Sequence, residues 1–310
     1  MNIIVVGIGA IGKERIKVLQ ELNETIIAII DITDSLTDDL VQSADWIFVC
    51  TPHDTTVEIV RLIRLYMNNK KVNILVEKPF MGHNQEILRV NNVGFNYRFL
   101  KGVRHLLDDV KNEVFGELIS VDMILGLGDS EGSENTWRLD PLRAGRGAIL
   151  DPGIHLIDLA MIMSNGNLDL KYSSHWQGFW RTGIEEETHI IARDYRWVND
   201  IKRNDRNSIY NIRASKVHWR PTFRIEVNGT DGCGIVEGRN RFYGNQTYRR
   251  GKRWGWGLDK TQRESEELLV DYNGNDSFLE ETRAILYGCK GLQPATNEDN
   301  KRCLKFIEGI

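Results

Sequence analysis

The chain has 310 residues, longer than one ordinary domain and comfortable for two. It is 41% hydrophobic and 27% charged, an ordinary globular composition, and its net charge of -4 argues against a global binder of nucleic acid or other polyanions. No run approaches the roughly 18 apolar residues of a membrane span, and the first residues carry no basic n-region or cleavage site, so a cytoplasmic protein off the membrane is expected. Cys50, Cys233, Cys289 and Cys303 form no C-x-x-C pair, which predicts no metal site and no disulfide framework.

In chain order, short apolar runs alternate with helical patterns up to residue 98. Residues 2–6, 25–30, 46–50, 72–76 and 93–96 are rich in Ile and Val without alternation, as strands covered on both faces should be. The clearest helix spans 57–67, with Val57, Val60, Ile63 and Met67 at helical spacing. Such strand–helix repetition implies a parallel sheet with right-handed crossovers. Beyond residue 98 the pattern changes to period two. In 118–127, Ile119, Val121, Met123, Leu125 and Leu127 share one face; in 222–228, Phe223, Ile225 and Val227 oppose Arg224 and Glu226. Strands with one buried face belong to an open, mostly antiparallel sheet. The expected architecture is α/β: a domain over 1–98, then an α+β domain over 99–310.

The first strand runs into Gly7-Ile8-Gly9-Ala10-Ile11-Gly12, a full G-x-G-x-x-G that opens a helix. Gly7 allows the tight turn, Gly9 lets a pyrophosphate approach the backbone, and Gly12 permits close helix–strand packing. The free N–H groups and dipole of the helix start favour the phosphates. Asp31 lies 19 residues after Gly12, at the end of the second strand, where a carboxylate accepts hydrogen bonds from a ribose. It would repel a 2′-phosphate, and Ile32, Thr33 and Asp34 offer no arginine to welcome one. A Rossmann domain that binds NAD rather than NADP is therefore expected.

Further segments carry chemistry. Glu77-Lys78-Pro79 closes the fourth strand, Gly94-Phe95-Asn96-Tyr97-Arg98-Phe99 closes the fifth, and Trp137-Arg138 precedes 145–158, which contains Asp151, His155 and Asp158. Pro152 suits a first helical position and Asp151 the N-cap before it, which would put Asp151 and His155 on one helix face. An imidazole beside a carboxylate, at a helix start that opposes its protonation, is suited to exchange protons near neutral pH. Arg138, Arg143 and Arg146 fall within nine residues, and Arg98 ends the fifth strand, which predicts a clamp for a carboxylate or phosphate.

Together, in order and spacing across essentially the whole chain, these motifs resemble the glucose–fructose oxidoreductase / inositol dehydrogenase (Gfo/Idh/MocA) family. The resemblance implies an NAD(P)-dependent sugar or polyol oxidoreductase. It implies that Lys78, Asp151 and His155 are catalytic, and that Thr51, Pro52, Glu77, Lys78, Trp137 and Arg138 join the glycine turn and Asp31 around the cofactor. Tyr97, Arg98, Arg143 and Arg146 are expected, with the catalytic trio, around a sugar-like, anionic substrate. It further implies a homo-oligomer, dimer or tetramer, packed through the open sheet face. Here the stretches after Asp31 and between Pro79 and Val93 are shorter than usual, and Thr56 stands where the family often has histidine.

Four other readings stay open. A non-catalytic NAD-binding sensor on the same fold would be expected to lose the lysine or histidine, and NAD could instead be recycled in place within an epimerase-like reaction. Gly128-Asp129-Ser130-Glu131-Gly132 satisfies G-x-S-x-G, but polar residues and Pro141 follow where a nucleophile elbow needs a helix. The run 249–257, basic with interleaved tryptophans, could contact nucleic acid, but one patch on an acidic chain suits a loop or subunit contact better.

Overall fold

A computed structural model describes residues 1–82, 88–128, 132, 135–198, 201–203, 207–253 and 266–310. In chain order the elements are β1 (Asn2–Val6), α1 (Ala10–Glu21), β2 (Thr25–Ile30), α2 (Asp38–Ser43), β3 (Trp46–Val49), α3 (His53–Tyr66), β4 (Asn73–Glu77) and β5 (Asn92–Gly94). There follow α4 (Lys101–Lys111), β6 (Leu118–Gly128), α5 (Ile154–Met163), β7 (Leu168–Trp176), β8 (Glu187–Asp194) and the hairpin β9 (Arg196–Val198) with β10 (Ile201–Arg203). The last are β11 (Ile209–Ser215), β12 (Val217–Gly229), β13 (Gly232–Glu237), β14 (Gln246–Lys252), β15 (Glu267–Tyr272), α6 (Ser277–Tyr287) and α7 (Asn297–Glu308). No helix among the described residues is long and apolar enough to cross a membrane.

Two compact units result. The first comprises Met1–Phe99 and Ser277–Arg302, the second Leu100–Asp276 and Cys303–Ile310. The return of Ser277–Arg302 to the first unit is absent from a division drawn at residue 98.

The first unit holds a parallel sheet in the order β2-β1-β3-β4-β5, with the doubly wound crossover at β1. Ile3, Val5, Leu19, Trp46, Phe48 and Leu75 form a buried cluster, onto which Ile285 and Leu286 of α6 pack. Continuous apolar strands thus have a buried neighbour on each face. Helix α3 begins four residues before the expected start, and its inner face is His53, Thr56, Val60, Ile63 and Met67. Thr56 replaces Val57 there because its hydroxyl is satisfied beside Thr51 Oγ1 at 3.0 Å and can donate to Pro52 O at 3.1 Å.

The second unit is built on an eight-stranded sheet, β15-β14-β13-β12-β6-β11-β8-β7, antiparallel apart from the β6–β11 pair. Phe223, Ile225 and Val227 face inward as expected, and so do Val121, Met123 and Leu125. Ile119 does not: it is 43% exposed, at the end of β6 where the alternating burial gives out. The opposite face carries polar pairs, among them Asn211 with Asp122 (2.8 Å), Arg224 with Glu226 (2.6 Å) and Arg249 with Glu237 (3.3 Å).

A buried ion network ties the first unit together. Arg15 of α1 is fully buried, with Nε donating to Glu77 Oε1 at 2.8 Å, Nη1 to Thr282 Oγ1 at 2.9 Å and Nη2 to Glu281 Oε2 at 2.6 Å. The guanidinium also lies 4.8 Å from the centre of the Phe278 ring. Burial pushes the Glu281 carboxyl up and Arg15 opposes it; with Glu77 adding repulsion, the group stands raised to about 7. A carboxyl raised on folding contributes stability that is complete below its ordinary value and is lost as pH rises through the raised one. Thermal melts should therefore show wild-type stability falling, relative to Glu281→Gln, as pH rises from 4.5 to about 7; parallel curves for the two proteins would refute this role for Glu281.

Candidate functional site

Val6 delivers the chain to Gly7, whose φ of +91° is a conformation only glycine adopts easily. The Gly7 amide donates to Ile30 O at 2.8 Å, which joins the turn to the end of β2. A Cβ on Gly12 would lie 1.9 Å from Gly7 O, so the helix can pack against the turn only without a side chain there. A Cβ on Gly9, by contrast, would meet nothing within 4 Å. Gly9 and Ala10 are exposed, Ile8 and Ile11 half-buried. Helix α1 has Gly9 as its N-cap, no side-chain cap and no acid in its first turn. Its first amides therefore point outward without protein competitors, an arrangement that fits a pyrophosphate.

Thr51 and Pro52 reach the same place. The Thr51 methyl and the Cys50 carbonyl each lie 3.0 Å from the position a Gly7 Cβ would take, and Pro52 caps α3. Asp31 follows β2 directly; its amide donates to Asp34 Oδ2 at 2.8 Å and its carbonyl accepts from the Asp34 amide at 2.9 Å. Within this unit the glycine turn, Asp31 and Thr51-Pro52 thus gather at the carboxyl ends of the parallel strands, where open α/β sheets take their ligands.

Lys78 is half-buried just beyond the end of β4 and is joined to Pro79 by a cis peptide bond. Glu77, expected beside the cofactor, has its carboxylate engaged by Arg15. Tyr97 and Arg98 are buried in a single helical turn after β5. Arg98 donates to Gln293 O at 3.2 Å and lies 3.6 Å from Asp299. Burial alone would push the Asp299 carboxyl up; Arg98, with the Thr296 amide and hydroxyl, outweighs that and holds it below its ordinary value. Arg98 is thus matched inside the unit rather than presented to a substrate anion.

In the second unit the expected helix start is displaced. Helix α5 begins at Ile154 with Gly153 as N-cap, so Asp151 and Pro152 precede the helix and Asp151 does not cap it. The reason is a stack of turns: the Asp151 amide donates to Gly147 O at 3.0 Å and the Gly153 amide to Ala148 O at 2.8 Å, with a cis bond before Pro152. A Cβ on Gly153 would come within 2.7 Å of Ile149 O and 2.9 Å of Ala214 Cβ. His155 is the second helical residue and is 5% exposed. Asp151 and His155 therefore do not share a helix face; Asp151 lies 3.4 Å from Arg138 Nε. Arg138 stacks over Trp137 at 4.8 Å. Asp158 is buried on the same helix.

Of the remaining arginines, Arg143 is exposed. Arg146 donates from Nε to Glu185 Oε1 at 3.2 Å and from Nη1 to Ile307 O at 3.1 Å, an internal brace. Lys216 is a residue that sequence reasoning misses: it is 4% exposed, its Nζ lies 3.4 Å from Arg138 O, and its amide donates to Glu186 O at 2.8 Å. Nothing in a lysine after a strand signals this. Asp129, Ser130 and Glu131 of the G-x-S-x-G match lie outside the described residues, as do residues 254–257 of the basic run. The described part of that run is paired internally: Arg249 with Glu237, Arg250 with Asp109 and Glu267, and Arg253 with Gly229 O.

Residues 103–233 match the GFO/IDH/MocA C-terminal domain. No curated protein matches the chain. Solved structures share the fold. A 3-ketoreductase from Actinomadura kijaniata in complex with NADP and TDP-benzene superposes with a TM-score of 0.75 at 15% identity, over 100% of this chain and 96% of that one. An NAD-binding oxidoreductase from Klebsiella pneumoniae gives 0.73 at 15%, over 100% and 96%. A UDP-N-acetylglucosamine 3-dehydrogenase from Acidithiobacillus ferrooxidans gives 0.71 at 16%, over 100% and 96%. At these identities the likeness establishes the fold alone.

The glycine turn yields a paired test. Gly9→Ala, with open space and an ordinary φ of -60°, should melt like wild type but bind NAD(P)H more weakly in a fluorescence titration. Gly12→Ala should lose stability, on the order of 1–3 kcal/mol for an overpacked contact. Equal melting of the two variants would contradict this division of roles.

Proposed function

We propose that this chain, which belongs to the Gfo/Idh/MocA family through its second unit, is an NAD(P)-dependent oxidoreductase acting on a sugar, sugar nucleotide or cyclic polyol. The observation that carries the reading is the glycine turn: an uncapped helix start beneath an exposed Gly9, in the first unit of a chain whose second unit matches that family. Two structures of the same fold, named for a 3-ketoreductase and a UDP-sugar dehydrogenase, support the sugar-nucleotide class. Arg143, exposed and near Asp151 in sequence, is a candidate for an anionic group on the substrate.

The cofactor, when bound, accepts or donates the hydride at its nicotinamide. The glycine turn holds its pyrophosphate, and Asp31 receives the ribose hydroxyls. When a secondary alcohol is oxidised, its hydroxyl proton must go to a base. By motif position that base is His155, near the start of α5. Lys78, if charged, donates a hydrogen bond to the reacting oxygen and stabilises its developing negative charge. Asp151, paired with Arg138, holds that guanidinium beside the indole of Trp137.

The deciding experiment follows NAD(P)H absorbance over sugars, uronates, polyols and nucleotide sugars, each charged compound paired with its neutral counterpart. On the best substrate, His155→Ala and Lys78→Ala should each lower kcat by roughly 10²–10⁴-fold, the usual range for a positioned acid–base group. In His155→Ala, binding of NAD(P)H should stay near wild type. Near-normal turnover in both variants would end this assignment.

Asp31 sets the expected cofactor choice as NAD. In the wild type kcat/KM should favour NAD over NADP, and Asp31→Ser should narrow the gap by removing the charge that repels a 2′-phosphate. A wild type that prefers NADP would reject this reading of Asp31.

A further inference from the structure

The chain segment that bears Lys78 is held at both ends by side chains that no motif points to. Glu77, immediately before the lysine, is gripped by Arg15, whose Nε and Nη2 both lie 2.8 Å from Glu77 Oε1. The far side of the same guanidinium is occupied by Thr282 Oγ1 and Glu281 Oε2. The space is closed by Gly94, where a Cβ would lie 2.6 Å from Glu77 Oε2 and 2.9 Å from Arg15 Nη2. Arg15 and Glu281 are both fully buried, so this contact has no competing water.

Two residues beyond the lysine, Phe80 is equally buried and its backbone is fixed by one side chain. Its amide donates to Asn300 Oδ1 at 3.2 Å, and its carbonyl accepts from Asn300 Nδ2 at 2.9 Å. Asn300 is itself fully buried in α7. A primary amide that meets both the N–H and the C=O of one residue fixes that peptide as a strand partner would.

We propose that Arg15 and Asn300 are positioning residues for Lys78, which they serve by pinning Glu77 and Phe80 on either side of it. The inference rests on the reading of Lys78 given above. It assigns Ser277–Arg302, the segment that supplies Glu281, Thr282 and Asn300, the task of setting the lysine's reach. Misplacement of a reacting group by about 1 Å can lower turnover on the order of 10²-fold, so the scale of such an effect is measurable.

The test uses full-length Arg15→Lys and Asn300→Asp. Lysine keeps the charge but cannot span three partners, and aspartate keeps the acceptor for the Phe80 amide while losing the donor to its carbonyl. Each variant is checked by circular dichroism, by NAD(P)H fluorescence titration, by kcat and KM, and by the rate at which acetic anhydride modifies Lys78, read by mass spectrometry against the other lysines. In folded variants, kcat should fall by about 10-fold or more. The affinity for NAD(P)H should hold, and the Lys78 rate should change by more than the spread among the other lysines. Should Arg15→Lys fail to fold, Asn300→Asp decides alone. If melting falls while the Lys78 rate and kcat per folded molecule stay at wild-type values, the two residues are structural only and the proposal is overturned. A lowered kcat with an unchanged Lys78 rate overturns it too. If the wild type turns over no sugar, the functional reading fails, while the modification rates still decide the positioning claim.

Discussion

Backbone packed on backbone, with no room for a side chain between, is the constraint on which the candidate site residues of each unit rest. In the first unit the missing Cβ of Gly12 would overlap the carbonyl of Gly7 at 1.9 Å. That closeness fixes the angle at which α1 leaves the sheet and so aims its first amides outward. In the second unit a Cβ on Gly147 would sit 1.8 Å from Glu185 O, and the Ala148 amide donates to that same carbonyl at 2.9 Å. The turns that carry Asp151 and lead into α5 are thereby laid against Glu185, just before β8. In each unit a polar loop is held rigidly by contacts that only glycine allows, and its functional groups stay on the open side.

Much of this could be read in the sequence, because it is written in local pattern. The bounds of the first two strands match their apolar runs residue for residue; β1 is buried on both faces from Ile3 to Val6, whereas β2, at the sheet edge, buries only Ile30 and leaves Ile29 exposed. The glycine spacing encodes the turn directly. Period two in 222–228 marks the inner face of β12, where Phe223, Ile225 and Val227 are buried. The start of α5 was not legible. Asp-Pro reads as a cap followed by a first helical residue, but turns back to Gly147 O and Ala148 O engage the Asp151 and Gly153 amides, and the helix begins only at Ile154.

The charged residues were the least legible, because a pairing partner far along the chain leaves no local mark. Arg15 lies among Lys13, Glu14 and Lys17 on an amphipathic helix and reads as surface, yet it is the largest fully buried side chain in the molecule's described residues. Its second carboxylate is 266 residues away. The arginines that suggested an anion clamp divide in the same way: Arg98 is matched by Asp299 and Arg146 by Glu185. A guanidinium counted as available from sequence is engaged by a distant carboxylate once the fold is complete.

The return of Ser277–Arg302 to the first unit has a consequence for the order in which the protein can be made. A ribosome releases Met1–Phe99 long before Glu281, Thr282 and Asn300 exist. Until they arrive, Arg15 has only one of its two carboxylates, and the Phe80 peptide lacks its amide partner. A buried cation with half its carboxylate partners missing is costly, so the first unit stays incomplete while Leu100–Asp276 of the second is synthesised. The unit that is begun first is therefore not complete until Arg302, after Leu100–Asp276 of the second has already been made.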